Sequence, residues 1–254
     1  MEEKQLDQAL SVVRGARSIE VFTGAGMSAE SGLETYRDEE TGVWSHVDPQ
    51  AMASIDAWHR DPDPMWAWYR WRAGRAAAAH PNAGHRAIAY WAGSDLVEHL
   101  HVTTQNIDDL HERSGSTDVT HLHGSLFAYR CTACGTSWPD DRDSPAAAVA
   151  RMRPPACPVC AAPIRPGVVW FGEALPVQDW DIAEQRMAEA DLVLIVGTSG
   201  VVQPAASLPY GAYRRGIPIL EISPQPTELS RLATFTWRAT AAQALPELMK
   251  GLGA

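Results

Sequence analysis

The chain has 254 residues, of which 45% are hydrophobic and 20% are charged, with 19 glycines and 18 prolines. This composition is ordinary for a globular protein and excludes a coiled coil, a collagen-like repeat and global disorder. The formal charge of −10, from 21 basic and 31 acidic residues, would repel a phosphate backbone. We therefore expect no nucleic-acid partner, and an anionic ligand would have to be met by local cations.

The most apolar stretch, residues 192–196, is far shorter than the ~20 residues that a membrane span requires. The start, Met1-Glu2-Glu3, does not lead into the basic and then apolar segments of a secretory signal. From these two observations we expect a cytoplasmic protein with no membrane partner.

Short apolar runs alternate with segments of helical periodicity along most of the chain. After an opening helix over 3–15, strands are predicted at 19–23, 101–104, 119–122, 168–171, 192–196 and 217–222. Helices are predicted between them, at 83–92, 178–189, 204–215 and 241–250. Strands that are apolar on both faces are typical of a buried parallel sheet. We predict an α/β fold, with a doubly wound parallel sheet of the Rossmann type.

The four cysteines form two Cys-x2-Cys pairs, Cys131 with Cys134 and Cys157 with Cys160, separated by 22 residues. This spacing is typical of paired knuckles that place four thiolates tetrahedrally around one zinc ion. Two disulfides or four buried thiols are the alternatives, and the lack of a secretory signal disfavours disulfides. Because four thiolates leave no open position for a substrate, we predict a structural zinc site.

Two segments interrupt the alternation of strands and helices. Residues 45–80 are rich in Trp and Ala and are predicted to be helices outside the sheet. Residues 126–166 contain the four cysteines and no convincing core strand. We predict that these two modules form a smaller domain, a zinc ribbon with a helical insertion, and that the larger Rossmann-like domain comprises 1–44, 81–125 and 167–254.

Glycine-rich and polar segments follow the predicted strands, at the edge where open α/β sheets bind ligands. Residues 24–29 are predicted to open a helix and to offer backbone N–H groups to a pyrophosphate, although a turn that only packs a helix explains them equally well. Residues 104–111 and 121–125 bring an amide, a carboxylate and an imidazole to one crevice. Residues 197–199 suit a phosphate or a ribose, or simply a capped turn.

Together these segments resemble the sirtuins, a family of NAD-dependent protein lysine deacylases. The resemblance runs in order over residues 5–250 and is carried by 24–32, Tyr36-Arg37, 81–85, 104–108, 123–125, the four cysteines, 168–173 and 197–199. It implies a large NAD-binding domain, a small zinc and helical domain, and an active site between them. It also implies NAD as a consumed co-substrate, one structural zinc ion, and acylated-lysine proteins or peptides as substrates.

The resemblance assigns most of the site to NAD. It implies that the phosphates and the nicotinamide ribose are held by Gly24, Ala25, Gly26, Ser28, Tyr36 and Arg37. The ribose and the carboxamide would be contacted by Gln105, Asn106, Ile107 and Asp108, and the adenosine half by Gly197, Thr198 and Ser199. Further implied contacts are Ser223, which stands where the family usually has Asn, with Pro224, Gln225 and Ala241.

The resemblance also implies the reaction and its catalytic residues. His123 matches the general base, which deprotonates a ribose hydroxyl, and Asn106 is the second predicted catalytic residue. The products would be free lysine, nicotinamide and O-acyl-ADP-ribose. The substrate peptide would pair by strand addition with Val168, Val169, Trp170, Phe171, Gly172 and Glu173.

Tyr69 and Arg72 lie three residues apart, on one face of a predicted helix. They resemble the Tyr-x-x-Arg pair of class III sirtuins, which act on succinyl, malonyl and glutaryl lysine. Arg72 can pair with a terminal carboxylate through two hydrogen bonds, and Tyr69 adds a hydroxyl donor. Ala53 matches a small residue that leaves room for the acyl chain. The alternative is an amphipathic helix with solvated arginines and packed tryptophans.

The resulting prediction is a deacylase that removes succinyl, malonyl and also acetyl groups from lysine. Two alternatives stay open at this point. One is a general deacetylase in which Tyr69 and Arg72 select nothing, and the other is a non-catalytic zinc module that senses NAD.

Overall fold

The computed structural model describes residues 2–33, 52–139 and 147–253. Its main sheet consists of six parallel strands, β1 (Ser18–Thr23), β2 (His99–Thr104), β3 (Val119–His121), β7 (Leu192–Val196), β8 (Ile219–Ile222) and β9 (Phe235–Trp237). Their order across the sheet is β3-β2-β1-β7-β8-β9. This is the strand order of a dinucleotide-binding Rossmann sheet, in which the order of the parallel strands reverses between the two central strands, β1 and β7. The predicted fold class is confirmed, and β9 is a strand that the sequence did not predict.

A second sheet contains β4 (Gly124–Cys131), β5 (Ser137–Trp138) and β6 (Ile164–Val168), in the order β5-β4-β6 with antiparallel pairing. Two predictions were wrong here. Residues 168–171 are not a strand of the parallel sheet, because Val168 ends β6, and residues 126–166 do carry strands. Exposed and buried residues alternate over the last four residues of β4, 128–131, as they do in an antiparallel sheet with one solvated face, so β4 lacks a continuous apolar run.

The described helices are α1 (Glu2–Val13), α2 (Ile55–Arg60), α3 (Pro62–Ala78), α4 (Ala83–Ala92), α5 (Leu110–Arg113), α6 (Val177–Glu189), α7 (Pro209–Arg214) and α8 (Ala241–Leu252). The helix predicted at 204–215 is divided into a short 3-10 turn, Ala205–Ser207, and α7. Pro209 stands at the start of α7, where its missing N–H group and fixed φ are tolerated. No helix in the described ranges is long and apolar enough to cross a bilayer.

Buried side chains form a core on each face of the main sheet. Ile19 and Val21 pack on one face, and Phe22, Val193 and Ile195 pack on the other, as the two-residue period of a strand requires. A third core joins α3 to the second sheet. The helical segment and the cysteine-bearing segment therefore share one core, whereas the domain boundaries stay a prediction.

Glu20 is an acidic residue inside the main core. Its side chain is fully buried, and burial outweighs the Thr103 hydrogen bonds and the Arg186 charge that favour the ionised form. Burial raises the pKa of this carboxyl to about 8. The folded protein therefore favours the neutral acid, while the unfolded chain ionises near the ordinary value of 4.5.

We expect Glu20→Gln to stabilise the protein more at pH 8 than at pH 5. Between the unfolded and the folded pKa the native state binds more protons, so the stability of the wild type falls as pH rises, by up to ~1.4 kcal/mol per pH unit. The Gln variant cannot ionise at this position, so its stability lacks this dependence on pH. Urea unfolding of both proteins at pH 5, 6.5 and 8 measures it, with the exposed Glu247→Gln as control. A stability difference that does not change with pH would contradict the assignment.

Candidate active site

The loops that follow β1 and β7 touch through their backbones. The Gly24 N–H donates to the carbonyl of Val196 at 3.1 Å, and the Gly26 N–H donates to the carbonyl of Gly197 at 2.8 Å. Gly197 has a φ of 62°, and a Cβ atom there would lie 2.4 Å from the Met27 nitrogen. A side chain at this position would therefore separate the loops. The contact lies between the two central strands, where open sheets bind their ligands.

The glycine loop differs locally from its prediction. It forms two short 3-10 turns, Ala25–Met27 and Ala29–Ser31, rather than the start of an α-helix. The N–H groups of Gly24, Gly26, Met27 and Ser28 already donate to backbone carbonyls. Fewer amides are therefore left for a pyrophosphate than the sequence suggests.

Three predicted site residues meet in one hydrogen-bonded group behind this loop. Ser28 Oγ donates to Asp108 Oδ2 at 3.0 Å, and Asn106 Nδ2 donates to Ser28 Oγ at 3.2 Å. All three side chains are buried. Burial raises the pKa of Asp108, and hydrogen bonds from the Leu110 N–H and from Ser28 offset only part of that rise. The loops after β1 and β2 are thus joined by polar side chains.

Gln105 connects the loop after β2 to the loop after β7. Its Nε2 donates to Thr198 Oγ1 at 2.9 Å, and its backbone N–H donates to the carbonyl of Thr23. Ile107 leads toward the second sheet, because its carbonyl accepts the Leu126 N–H at 2.8 Å. In the loop after β7, the carbonyl of Ser199 accepts a hydrogen bond from the Glu228 N–H. Residues 105–107 therefore lie between the main sheet and the second sheet.

His123 is held in one tautomer. Its Nδ1 lies 3.0 Å from the carbonyl oxygen of Gln105. A carbonyl can only accept, so Nδ1 carries the proton and Nε2 has its lone pair available. Burial lowers the pKa of His123, and the Gln105 carbonyl opposes this in part. The ring is therefore neutral near pH 7, with Nε2 able to accept a proton.

His121, two residues earlier, is in a different state. Its Nδ1 lies 2.9 Å from the carbonyl of Asn106 and its Nε2 lies 2.6 Å from Glu112 Oε1. Burial lowers its pKa, but the hydrogen bond and charge of Glu112 and the hydrogen bond to the Asn106 carbonyl raise it by more. The net pKa is therefore above the ordinary value. Both ring nitrogens then donate. His121 fixes the backbone of Asn106 and is poorly suited to act as a base.

Asn82 supports the glycine loop, a role that was not predicted from the sequence. Its Oδ1 accepts the N–H groups of Gly84 and His85 and caps α4, while its Nδ2 donates to the carbonyl of Met27 at 2.8 Å. Asn82 therefore attaches the glycine loop to the start of α4. The signal was present in the sequence, since an Asn followed three residues later by a polar side chain before an apolar run is a capping pattern.

The predicted peptide-binding segment, residues 168–173, lies between His123 and Ala53. The Val169 N–H donates to the carbonyl of His123 at 2.8 Å, and the Phe171 N–H donates to the carbonyl of Ala53 at 2.8 Å. Trp170 is 2% exposed, whereas Phe171 is 41% exposed. The segment therefore alternates between an inward and an outward side chain.

Tyr69 and Arg72 lie on α3, and Tyr69 packs next to this segment. The Tyr69 ring centroid is 5.9 Å from that of Trp170, and the Arg72 guanidinium carbon is 4.8 Å from the Trp68 ring centroid. Tyr69 and Trp68 are buried. The alternative interpretation is thus right that the aromatic residues of this helix pack, but their packing brings Tyr69 against the predicted peptide segment.

The remaining predicted contacts lie at the edges of the site. Ser223 Oγ donates to the carbonyl of Gln225 at 2.8 Å, so its proton is already used. Pro224 and Gln225 are exposed. Ala241 begins α8 and is buried beside Gly84. A Cβ atom on Gly84 would lie 2.9 Å from the carbonyl oxygen of Ala241. Tyr36 and Arg37 lie outside the described residues.

The four cysteines come together in the second sheet. Their sulfur atoms all lie within 4.8 Å of one another, and the nearest pairs are 3.4, 3.6 and 3.7 Å apart. These distances are too long for disulfide bonds, but they suit a tetrahedral ion, since sulfurs ~2.3 Å from zinc lie ~3.8 Å apart. Backbone N–H groups of Ala133 and Val159 also point at the sulfurs of Cys131 and Cys157. The cluster could therefore hold one zinc ion, as the Cys-x2-Cys spacing predicts, and its assignment as a structural zinc site stays a prediction.

We expect Cys131→Ser to reduce the zinc content from about one ion per chain to nearly none. Because structural zinc contributes ~10 kcal/mol or more of binding free energy to small folds, the second sheet should lose at least ~3 kcal/mol of stability. Metal analysis and thermal unfolding measure both effects. Thr136→Ala, which changes a hydroxyl 3.1 Å from Cys134 Sγ, serves as control and should keep its zinc. Full zinc retention by Cys131→Ser would remove this residue from the ligand set.

Comparison with known proteins agrees with this architecture. The model of the Sir2 family matches residues 24–204. An NAD-dependent protein deacylase of Corynebacterium glutamicum is 70% identical, over 99% of this chain and 98% of its own length.

Two solved structures extend the comparison. A Sir2 homologue in complex with NAD superposes with a TM-score of 0.88 at 39% identity, over 97% of this chain and 93% of its own. A Sir2 variant with a deacetylated p53 peptide and 3′-O-acetyl-ADP-ribose has a TM-score of 0.81 at 28% identity, over 97% and 98% of the two chains. With the Rossmann strand order and the four-cysteine cluster, these matches show that the chain belongs to the Sir2 family, the sirtuins.

Proposed function

We propose that this protein is an NAD-dependent protein-lysine deacylase that favours succinyl and malonyl groups and also removes acetyl groups. The coarser part, NAD-dependent protein deacylation, follows from family membership and from the name of the relative that is 70% identical. The preference for dicarboxylic acyl groups rests on Tyr69 and Arg72. The products are free lysine, nicotinamide and O-acyl-ADP-ribose.

The proposal rests on the contacts that residues 168–173 make with His123 and Tyr69. The N–H of Val169 donates to the carbonyl of His123 at 2.8 Å, and the next side chain, Trp170, packs against Tyr69. A single short segment therefore touches both the proposed base and Tyr69, one member of the proposed acyl-recognition pair. A lysine side chain inserted alongside this segment would have its acyl group between them.

The chain's own residues fit the chemistry. When bound, NAD supplies an electrophilic ribose carbon, since nicotinamide leaves as a neutral ring. His123 Nε2 accepts the proton of a ribose hydroxyl, because Nδ1 is occupied by the Gln105 carbonyl. Asn106 and Asp108, joined through Ser28, present fixed polar groups to the ribose and the carboxamide.

The acyl preference follows from charge. The protein carries a formal charge of −10, so an anionic acyl group needs a positioned cation. The guanidinium carbon of Arg72 lies 4.8 Å from the centroid of the Trp68 ring, which is a cation–π contact. A planar guanidinium can donate two parallel hydrogen bonds to a carboxylate, and an acetyl group offers no such acceptor.

We expect Arg72→Met to lower kcat/KM for a succinyl-lysine peptide by ~30-fold or more, since losing one partner of a desolvated charge pair costs ~2–5 kcal/mol. Turnover of the matched acetyl peptide should change little. Nicotinamide release measures both reactions, and the exposed Arg60→Met is the control for loss of an arginine. Equal losses on both peptides would indicate a general deacetylase. No nicotinamide release from the wild type with any acyl peptide would indicate a non-catalytic sensor.

We expect His123→Ala to lower turnover of every acyl peptide by ~10²–10⁴-fold, the usual contribution of a general base. Calorimetric binding of NAD and peptide should be retained. In the wild type, the lowered pKa of His123 should place the acidic limb of the kcat/KM profile below the ordinary histidine value, because only the neutral ring accepts a proton. Normal turnover by the variant would exclude His123 as the base.

A further inference from the structure

Arg165 is a buried cation that no part of the proposed reaction uses. Its side chain, on β6, is 4% exposed. It donates to both carboxylate oxygens of Glu173, Nη1 to Oε1 at 2.5 Å and Nη2 to Oε2 at 2.7 Å. The carboxylate of Glu173 is therefore paired inside the protein, which leaves open the predicted pairing of its segment with a peptide through the backbone.

The same two side chains hold both ends of the segment that follows β6. At the beginning, Arg165 Nη2 donates to the carbonyl of Val168 at 3.0 Å. At the end, Glu173 is held by Arg165, and its Oε2 also accepts the N–H of Trp170, in the middle of the segment, at 2.9 Å. The guanidinium carbon also lies 3.6 Å from the centroid of the Trp170 ring. We call this arrangement of Arg165 and Glu173 the clamp.

The clamp is charged as well as buried. Burial raises the pKa of Glu173, but the hydrogen bonds and charge of Arg165 and the hydrogen bond from the Trp170 N–H lower it by more. The net pKa lies below the ordinary value. A pair of this kind gives little net stability compared with apolar residues of the same volume, although breaking one half of it is costly. The clamp is therefore expected to matter more for the geometry that it imposes on residues 168–173 than for the stability of the fold.

We propose that Arg165 is a positioning residue for acyl-peptide binding, acting through Glu173 and Trp170 without touching the substrate. The inference rests on the proposed function, because it takes residues 168–173 as the peptide-binding segment. This segment contacts His123 through Val169, Tyr69 through Trp170, and Ala53 through Phe171. By fixing its two ends, the clamp sets all three contacts together.

The first test is Glu173→Gln, which keeps the shape of the side chain and an acceptor for the Trp170 N–H but removes the charge. We expect KM for the acyl peptide to rise ~10-fold while kcat at saturation and KM for NAD stay within ~2-fold, as for loss of binding that is equal in ground and transition states. Arg165→Lys should behave alike, since an ammonium cannot form the bidentate pair. The control is Asp61→Asn, which breaks the exposed pair with Arg151 in the same part of the fold.

A second measurement separates positioning from folding. The double variant R165M/E173Q removes both charges and avoids leaving one of them unpaired, so it should fold and still show the raised peptide KM. An unchanged peptide KM in these variants, or a fall in kcat and melting temperature without a change in KM, would overturn the proposal.

Hydrogen exchange keeps the two proposals distinguishable. In Glu173→Gln the amides of Val169 and Phe171 should lose ~10-fold or more of their protection even without substrate, because local opening becomes easier. Unchanged protection would overturn the clamp whatever the enzyme's substrates are. Failure of the wild type to deacylate any peptide would instead overturn the proposed function.

Discussion

The contact between Gly26 and Gly197 determines how the rest of the site can be arranged. The Gly26 N–H donates to the Gly197 carbonyl at 2.8 Å, and a Cβ atom on Gly197 would lie 2.4 Å from the Met27 nitrogen. Two loops that follow the central strands can therefore approach within backbone distance only as glycine-bearing turns. Ser28, on one loop, then reaches Asn106 and Asp108, while Thr198, on the other, reaches Gln105.

A second constraint acts from the side of the small sheet. The segment 168–173 contacts His123 through its backbone and Tyr69 through Trp170. The proposed base, His123, and Tyr69 belong to different elements, and this segment links them. The two neighbouring histidines also have different roles, because Glu112 holds His121 as a double donor whereas the Gln105 carbonyl leaves Nε2 of His123 as an acceptor.

The alternation of apolar runs and helices predicted the parallel sheet because its strands are buried on both faces. The Cys-x2-Cys spacing predicted that the four cysteines come together, because a tetrahedral ion demands it. The antiparallel sheet escaped prediction because β4 alternates and β5 has only two residues. Arg165 carried no signal, since a lone arginine after an isoleucine is usually a surface residue. Its role depends on Glu173, eight positions away, and on the return of the chain between them.

The most direct test of this account is a crystal structure of the protein with NAD and a succinyl-lysine peptide. The account predicts that Nε2 of His123 lies within hydrogen-bonding distance of a nicotinamide-ribose hydroxyl, that the peptide backbone pairs with residues 168–173, and that the succinyl carboxylate contacts Arg72. A peptide bound away from this segment, or a His123 ring turned away from the ribose, would contradict it.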